Sequence, residues 1–171
     1  MSKMRLVFLL GLSVLAVGLV IGTAIGFDFS ESPSVVLEGT WVLKCYGEPG
    51  KLRVPYSSKG DITLILSARA TAEQEIGGYL ARENVITGRA GINWYYGNYE
   101  ADGNKFSTYT VHGEKKRTGA LIRTEMAGPA HLMAQENQYL DILTSAQTYK
   151  ITNGILIIFS GEGLLGFKRK G

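Results

Sequence analysis

The fold is indicated most clearly near the end of the chain, by Tyr149-Lys150-Ile151-Thr152-Asn153-Gly154-Ile155-Leu156-Ile157-Ile158-Phe159-Ser160. Asn-Gly is the strongest short signal for a two-residue hairpin turn, because both residues readily adopt the positive φ that such a turn requires. Strand-forming residues flank this pair on both sides. The stretch therefore predicts two antiparallel strands, 149–151 and 155–160.

One helix is predicted directly upstream of this hairpin, between Pro129 and Tyr149. Proline is well suited to the first turn of a helix, where its missing N–H costs nothing. Apolar side chains then recur every three or four residues and form one stripe that can be buried: Leu132, Met133, Tyr139, Leu140, Leu143 and Ala146.

The remaining segments favour strands separated by Gly and Asn turns. The predicted strands are 40–46, 62–66, 84–90, 95–99, 105–111, 118–124 and 164–168. Residues 68–82 are left open between a helical insertion, a long hairpin and a loop. Many strands with one late helix predict an α+β, mostly-β fold, in which an antiparallel sheet curves around that helix or packs against it.

The N-terminal segment has the pattern of a membrane-targeting helix. Residues 6–27 contain no charged side chain, and about 22 helical residues span the ~30 Å apolar core of a bilayer. Lys3 and Arg5 precede this run, so the positive-inside rule places the following domain outside the cytoplasm. We expect an uncleaved signal-anchor at 1–27. The alternative is a signal peptide cleaved near Gly26, which leaves a periplasmic or secreted protein. Residues 28–36 then form a linker to a domain at 37–171.

Charge and cysteine content exclude some functions. The formal net charge is only +3, and the basic clusters 115–117 and 168–170 are short, so we expect no nucleic-acid binding. Cys45 is the single cysteine and rules out an intramolecular disulfide. Its role stays open.

No arrangement of residues predicts a catalytic, cofactor or metal site. Residues 161–166 match the letters of a GxGxxG motif, but no helix can follow so close to the C-terminus. His112, Glu114 and His131 are too few and too scattered for a zinc site. Gln135 and Glu136 fit a structural role near the helix start better than a catalytic one. We therefore expect a protein that is not an enzyme.

An aromatic run is the best candidate for a contact with a ligand or partner: Trp94, Tyr95, Tyr96 and Tyr99. In a strand, alternate side chains point to opposite faces, so Tyr95 is separated from Trp94 and Tyr96. We expect one set to pack on the helix. The other set either completes the core or lines a groove or an exposed binding patch.

The order of motifs resembles the META domain (HslJ-like) family over about residues 37–167. The similar segments are 37–43 (LEGTWVL), 88–93 (GRAGIN) with 96–99 (YGNY), 124–129 (TEMAGP), 133–140 and the closing 149–167. The residues that carry this resemblance, for which we expect structural roles, are Gly39, Trp41, Gly88, Gly91, Asn93, Gly97, Tyr99, Thr124, Met126, Gln135 and Glu136. This chain departs from the family at two cysteine positions, which are filled by Ile92 and Gly128.

The resemblance implies an incomplete β-barrel or strongly curved sheet with a helix against it. It also implies an exported, stress-related protein of the cell envelope with no general enzymatic activity. Two functions follow as hypotheses. The first is binding of an envelope protein partner. The second is carriage or sensing of a lipid-like apolar ligand between the sheet and the helix.

Overall fold

The computed structural model describes residues 36–56, 60–76 and 79–171, without the side chains of 69–82. The predicted targeting segment 1–27 and the predicted linker up to residue 35 lie outside these ranges. Within the described ranges, no helix is long and apolar enough to cross a membrane.

The described part of the chain contains ten strands and one helix. The strands are β1 (Gly39–Gly47), β2 (Thr63–Ile76), β3 (Tyr79–Arg89), β4 (Trp94–Asp102), β5 (Lys105–His112), β6 (Lys115–Thr118), β7 (Ile122–Arg123), β8 (Ala146–Thr152), β9 (Ile155–Ser160) and β10 (Gly163–Arg169). The helix, α1 (Ala130–Thr144), lies between β7 and β8. The mostly-β fold with one late helix is therefore confirmed.

Eight of these strands form a closed antiparallel barrel in the order β1, β2, β3, β4, β5, β8, β9, β10 and back to β1. The contact that closes it is short: Lys105 of β5 pairs with Thr148 of β8, and the Tyr149 N–H donates to the Asn104 carbonyl at 2.8 Å. The expectation of an incomplete barrel was wrong in this respect. Closure depends on one pairing between strands about forty residues apart, which the local strand pattern does not specify.

The closing hairpin forms as expected. Asn153 and Gly154 have φ of 52° and 73°, and β8 and β9 pair on either side of them. Of the segment 68–82, which the sequence left open, residues 68–76 lie in β2 and residues 79–82 in β3, and the two strands pair antiparallel.

Two predicted boundaries need correction. Residues 118–124 do not form one strand, because Gly119 adopts φ of 68° and breaks the segment into the end of β6 and the short β7. Ala146 follows the helical apolar stripe in sequence, but it is the first residue of β8 and pairs with Ser160. The helix ends at Thr144, and the last apolar residue of the predicted stripe therefore belongs to the strand that follows it.

The barrel and the helix share one core. Large side chains from the strands fill the barrel, including Trp41, Leu64, Ile86, Phe106, Leu156 and Phe167. Tyr139, Ile142 and Leu143 of α1 join the same cluster and are fully or almost fully buried. The helix packs against β1, β5, β9 and β10. The core that results is filled by aromatic and branched aliphatic side chains.

Cys45 lies at a bulge in the pairing of β1 with β10. Its thiol is half-buried, and a Cβ atom added at Gly166 would come within 2.6 Å of the sulfur. The side chain therefore occupies the space that Gly166 leaves open.

Candidate binding site

The aromatic run on β4 is divided between the two faces of the barrel wall. Tyr95 and Tyr99 point inward, with exposed fractions of 1% and 5%. Tyr96 points outward into a small separate cluster with Val85 and Ile122. Trp94 is 53% exposed at the start of the strand. The expected alternation thus places part of the run in the core and part on the outer surface.

The inward tyrosines are built into the core by ring contacts and hydrogen bonds. Tyr99 stacks on Phe106 with ring centroids 5.8 Å apart. The Tyr95 hydroxyl donates to the Thr63 carbonyl at 2.8 Å and lies 2.8 Å from the Tyr139 hydroxyl. Because a carbonyl can only accept, Tyr95 gives its proton to Thr63, and Tyr139 donates to Tyr95.

Burial controls the ionisation of this hydroxyl pair. It raises the pKa of Tyr95 well above the usual value of 10, and the neighbouring Tyr139 adds to the rise. Burial also raises the pKa of Tyr139, while the hydrogen bond with Tyr95 lowers it in part. Both hydroxyls therefore stay protonated at neutral pH and act as fixed polar links within the core.

The outward side chains border a shallow groove of about 170 Å³. Its lining includes the apolar or aromatic residues Trp94, Tyr96 and Ile122, together with Thr87, Arg123 and Thr124. Burial raises the pKa of Tyr96, so its hydroxyl also remains neutral. We name this surface, lined by Thr87, Trp94, Tyr95, Tyr96, Ile122, Arg123 and Thr124, the outer groove.

A buried carboxylate anchors the loop that leads into Trp94. Glu136 of α1 has no exposed surface. Its Oε2 accepts hydrogen bonds from the backbone N–H groups of Ile92 (3.0 Å) and Asn93 (2.8 Å), and its Oε1 accepts one from Asn93 Nδ2 (2.7 Å). Three donors around one carboxylate are the arrangement that stabilises a buried negative charge.

Asn93 extends this anchor to the segment after β7. Its Oδ1 accepts hydrogen bonds from Thr124 Oγ1 at 2.8 Å and from the Met126 N–H at 2.7 Å. Thr124 in turn accepts from the Trp94 N–H and donates its own N–H to the Trp94 carbonyl. The side chains of Glu136, Asn93 and Thr124 thus connect the helix to the wall of the outer groove.

The other residues of the family resemblance lie at close contacts. A Cβ added at Gly88 would sit 2.0 Å from the Thr63 carbonyl oxygen, and Gly91 has φ of 136° in the loop that presents its N–H groups to Glu136. Gly97 lies under Leu121, and Gly39 lies beside Arg169. Trp41 donates to the Leu37 carbonyl beneath the Arg169 guanidinium. Gln135 exchanges two hydrogen bonds with the backbone of Tyr56.

Ile92 and Gly128, the two positions at which the resemblance led us to expect cysteines, are in direct contact. A Cβ added at Gly128 would lie 2.7 Å from Ile92 Cγ1, so the two Cβ positions are within about 4.2 Å of each other, inside the range for a disulfide. Ile92 therefore occupies the space that a larger residue at position 128 would need. The two residues therefore form a matched large–small pair.

The described residues contain no group of three or more His, Cys, Asp or Glu side chains that could hold a metal ion. His112 ends β5, whereas His131 lies in the first turn of α1 beside Tyr56. The structure thus places these histidines on different elements.

Thr87, Ile122 and Arg123 of the outer groove were not predicted from the sequence. The pairing of β7 with β4 brings the last two beside the aromatic run, through Tyr95↔Arg123 and Tyr96↔Ile122. The adjacent apolar pair Leu121 and Ile122, within an otherwise polar segment, is the one sequence feature that points to such a contact.

Comparison with known proteins gives a family and a fold. The META domain model matches residues 36–170. A protein from Burkholderia xenovorans, solved by NMR, is similar at 25% identity with a TM-score of 0.52, over 78% of this chain and 82% of that one. A second NMR structure, at 16% identity, has a TM-score of 0.50 over 77% of this chain and 89% of that one, and supports the fold alone. No curated protein matches. Because the family match spans most of the sequence, the chain belongs to the META domain family.

Proposed function

We propose that this chain is a non-enzymatic, exported META-domain protein of the cell envelope with a stress-related role, and that it acts by binding a protein partner at the outer groove. The exported location is supported by the charged and apolar pattern of residues 1–27. In this proposal residues 6–27 anchor the chain in the membrane, and cleavage near Gly26 is the alternative that would release it.

The observation that carries the binding proposal is the position of Trp94. This large aromatic side chain is half exposed and forms one side of an apolar groove, although burying it in the core would be favourable. Trp, Tyr and Arg are the side chains that most often dominate binding energy at protein interfaces, and the groove offers one of each in Trp94, Tyr96 and Arg123.

The local rigidity of the groove supports the same function. Trp94 follows directly on Asn93, which is fixed by Glu136, and its backbone is paired with Thr124. A surface whose backbone is held in place loses less conformational entropy when a partner binds. The Glu136 network thus serves binding indirectly, by holding the groove in one shape.

The alternative hypothesis, a carrier of a lipid-like ligand between the sheet and the helix, receives little support. The side chains at that position, among them Tyr139, Leu143 and Phe167, are in contact with one another in a filled core. The cleft beside the second half of the helix is lined largely by polar groups, among them Asn137, Asp141 and Thr144. Such surroundings suit an acyl chain poorly.

Co-purification with matched variants tests the proposal. The full-length chain carries an affinity tag and is isolated from the envelope of its own host, beside Trp94→Ala and Phe159→Ala. Phe159 is a second exposed aromatic residue, 38% exposed on β9, outside the groove. We expect a discrete protein to accompany the wild-type chain and Phe159→Ala, but not Trp94→Ala. Recovery of the same protein with all three chains would refute binding at the groove.

A further inference from the structure

A second cleft lies between the segment after β1 and the first half of α1, and it shares no residue with the outer groove. Its volume is about 360 Å³, which is within the range of small-molecule sites. Tyr46, Arg53, Val54 and Tyr56 line one wall, and His131 and Gln138 of the helix line the other.

Backbone hydrogen bonds hold the first wall in place. Tyr46 and Arg53 exchange N–H···O bonds of 3.1 and 2.9 Å as an isolated bridge. Gln135 then clamps Tyr56: its Oε1 accepts from the Tyr56 N–H at 2.7 Å, and its Nε2 donates to the Tyr56 carbonyl at 3.3 Å. The backbone of this wall is therefore part of the folded framework, and it carries the exposed side chains of Arg53, Val54 and Tyr56.

The electrostatic character of the cleft is positive. Arg53 contributes a permanent charge, and its guanidinium makes no hydrogen bond or ion pair with the described residues. None of the residues that line the cleft carries a carboxylate. Glu48, five residues before Arg53, is paired with Lys51 at 3.2 Å.

The remaining surface of the cleft is apolar and aromatic. Tyr56 is 61% exposed and meets the ring of His131 edge to face, with centroids 5.5 Å apart. Val54 is 80% exposed beside it. A guanidinium that has no partner among the described residues and lies next to exposed apolar groups matches a ligand that combines a carboxylate with an apolar body, because Arg binds a carboxylate through two parallel N–H···O bonds.

We propose that this cleft is a binding site for a small organic carboxylate with an aromatic or aliphatic body. The carboxylate pairs with the Arg53 guanidinium, and the body lies against Val54 and the Tyr56–His131 ring pair. The site is independent of the outer groove, so either binding function can fail without the other.

Phenylacetate is the probe that tests this proposal, with phenylacetamide as a control of the same shape without the charge. The full-length ¹⁵N-labelled chain in a neutral detergent is titrated with each compound while amide chemical shifts are followed. We expect phenylacetate to shift the amides of Arg53, Val54, Tyr56 and residues 131–138 and to saturate with a dissociation constant on the order of 1 mM, as is typical of ligands of this size.

Two variants with the same loss of charge locate the interaction. Arg53→Gln should weaken phenylacetate binding about tenfold, because it removes a charge-assisted hydrogen bond. Arg117→Gln removes an equal charge on the exposed strand β6, outside the cleft, and should change the affinity by no more than about twofold.

Three results would overturn the proposal. The first is the absence of saturable shifts at the cleft with folded protein. The second is equal binding of phenylacetamide, and the third is unchanged affinity in Arg53→Gln. A blocked peptide that carries an acidic and an aromatic side chain, acetyl-Phe-Asp-amide, provides a further arm: tighter binding of this peptide than of phenylacetate would overturn the small-molecule assignment in favour of a protein segment.

Discussion

The two faces of β4 carry similar aromatic side chains in different environments. On the inner face, Tyr95 is buried and its hydroxyl is bonded to both the Thr63 carbonyl and the Tyr139 hydroxyl. On the outer face, at the first residue of the same strand, Trp94 is half exposed and lines the outer groove. Neighbouring residues of one strand thus contribute to different properties: the inner face to stability, and the outer face, in our proposal, to binding.

This difference shows that aromatic content alone does not identify a binding site. The pleat of a strand decides which ring enters the core, and the covering elements decide which outward ring is left exposed. Tyr96 also points outward, yet Val85 and Ile122 largely cover it. Trp94 lies at the strand end, where the cover is incomplete.

The largest effect is expected for a substitution on the inner face. Tyr95→Ala removes a fully packed ring and leaves the Thr63 carbonyl and the Tyr139 hydroxyl without their partner. We expect a loss of about 3–5 kcal/mol in the free energy of unfolding, measured by urea denaturation of the full-length chain in neutral detergent. Tyr56→Ala, at an exposed tyrosine, is the control and should cost much less. Equal losses in both variants would remove the distinction between core and surface.

A covalent link at the contact between Ile92 and Gly128 would fix the loop that leads into β4. In a Cys45→Ala background, we expect Ile92→Cys with Gly128→Cys to form a disulfide on oxidation, given the short distance between the Cβ positions. The oxidised protein should be about 2–4 kcal/mol more stable than the same protein after reduction, because the bond restricts the unfolded chain. Urea denaturation of both forms, with a thiol count, measures this. Two free thiols after oxidation would contradict the contact.

Removal of the charge at Glu136 tests the anchor of the outer groove. In Glu136→Gln an amide group faces the N–H donors of Ile92 and Asn93, so at least one hydrogen bond is lost inside the protein. We expect a destabilisation of about 2–3 kcal/mol. Glu125→Gln, the same change at an exposed position, should have an effect of less than about 0.5 kcal/mol. Similar values for both would show that the buried network contributes little.

Alkaline unfolding tests the hydroxyl pair of the inner face. Tyr95 and Tyr139 have a raised pKa in the folded state, so the stability they contribute is fully present below pH 10 and is lost as the pH rises further. Each such tyrosine should lower the unfolding free energy by about 1.4 kcal/mol per pH unit above pH 10. The Tyr95→Phe, Tyr139→Phe variant should show a flatter slope than the wild type. Identical slopes in the two proteins would show that the ionisation of other groups causes the loss of stability at high pH.

The smallest effect on stability is expected on the outer face. Trp94→Ala should change the free energy of unfolding by no more than about 0.5–1 kcal/mol, because the ring is half exposed in the folded chain. Urea denaturation beside Tyr95→Ala measures the contrast. A loss as large as that of Tyr95→Ala would mean that Trp94 belongs to the core, and would remove the main argument for the groove.

Most strands and the helix could be predicted from the sequence because their signals are local. The Asn153-Gly154 turn and the apolar stripe from Leu132 to Leu143 each depend on neighbouring residues only. Barrel closure could not be predicted, since it depends on the pairing of Lys105 with Thr148 across about forty residues. The division at Gly119 was also missed, because glycine in a β-prone segment signals a break only when its φ is known.

The candidate site was predicted in part. The four aromatic residues of β4 were identified, and the alternation separated Tyr95 from Trp94 and Tyr96, but it did not show which face is exposed. That depends on β7, whose two residues bring Ile122 and Arg123 beside the run. The cleft at Arg53 had no sequence signal, because the segment after β1 and the helix that form it are about 80 residues apart and meet through Gln135 and Tyr56.

Site-specific photo-crosslinking is the most direct test of binding at the outer groove. A benzophenone amino acid replaces Trp94 in the full-length chain, and a matched chain carries it at the exposed Phe159. Both are irradiated in the intact envelope of the host. We predict a discrete protein adduct from position 94 that is absent from position 159. No adduct from position 94, or the same adduct from both positions, would contradict the assignment of the outer groove as the binding surface.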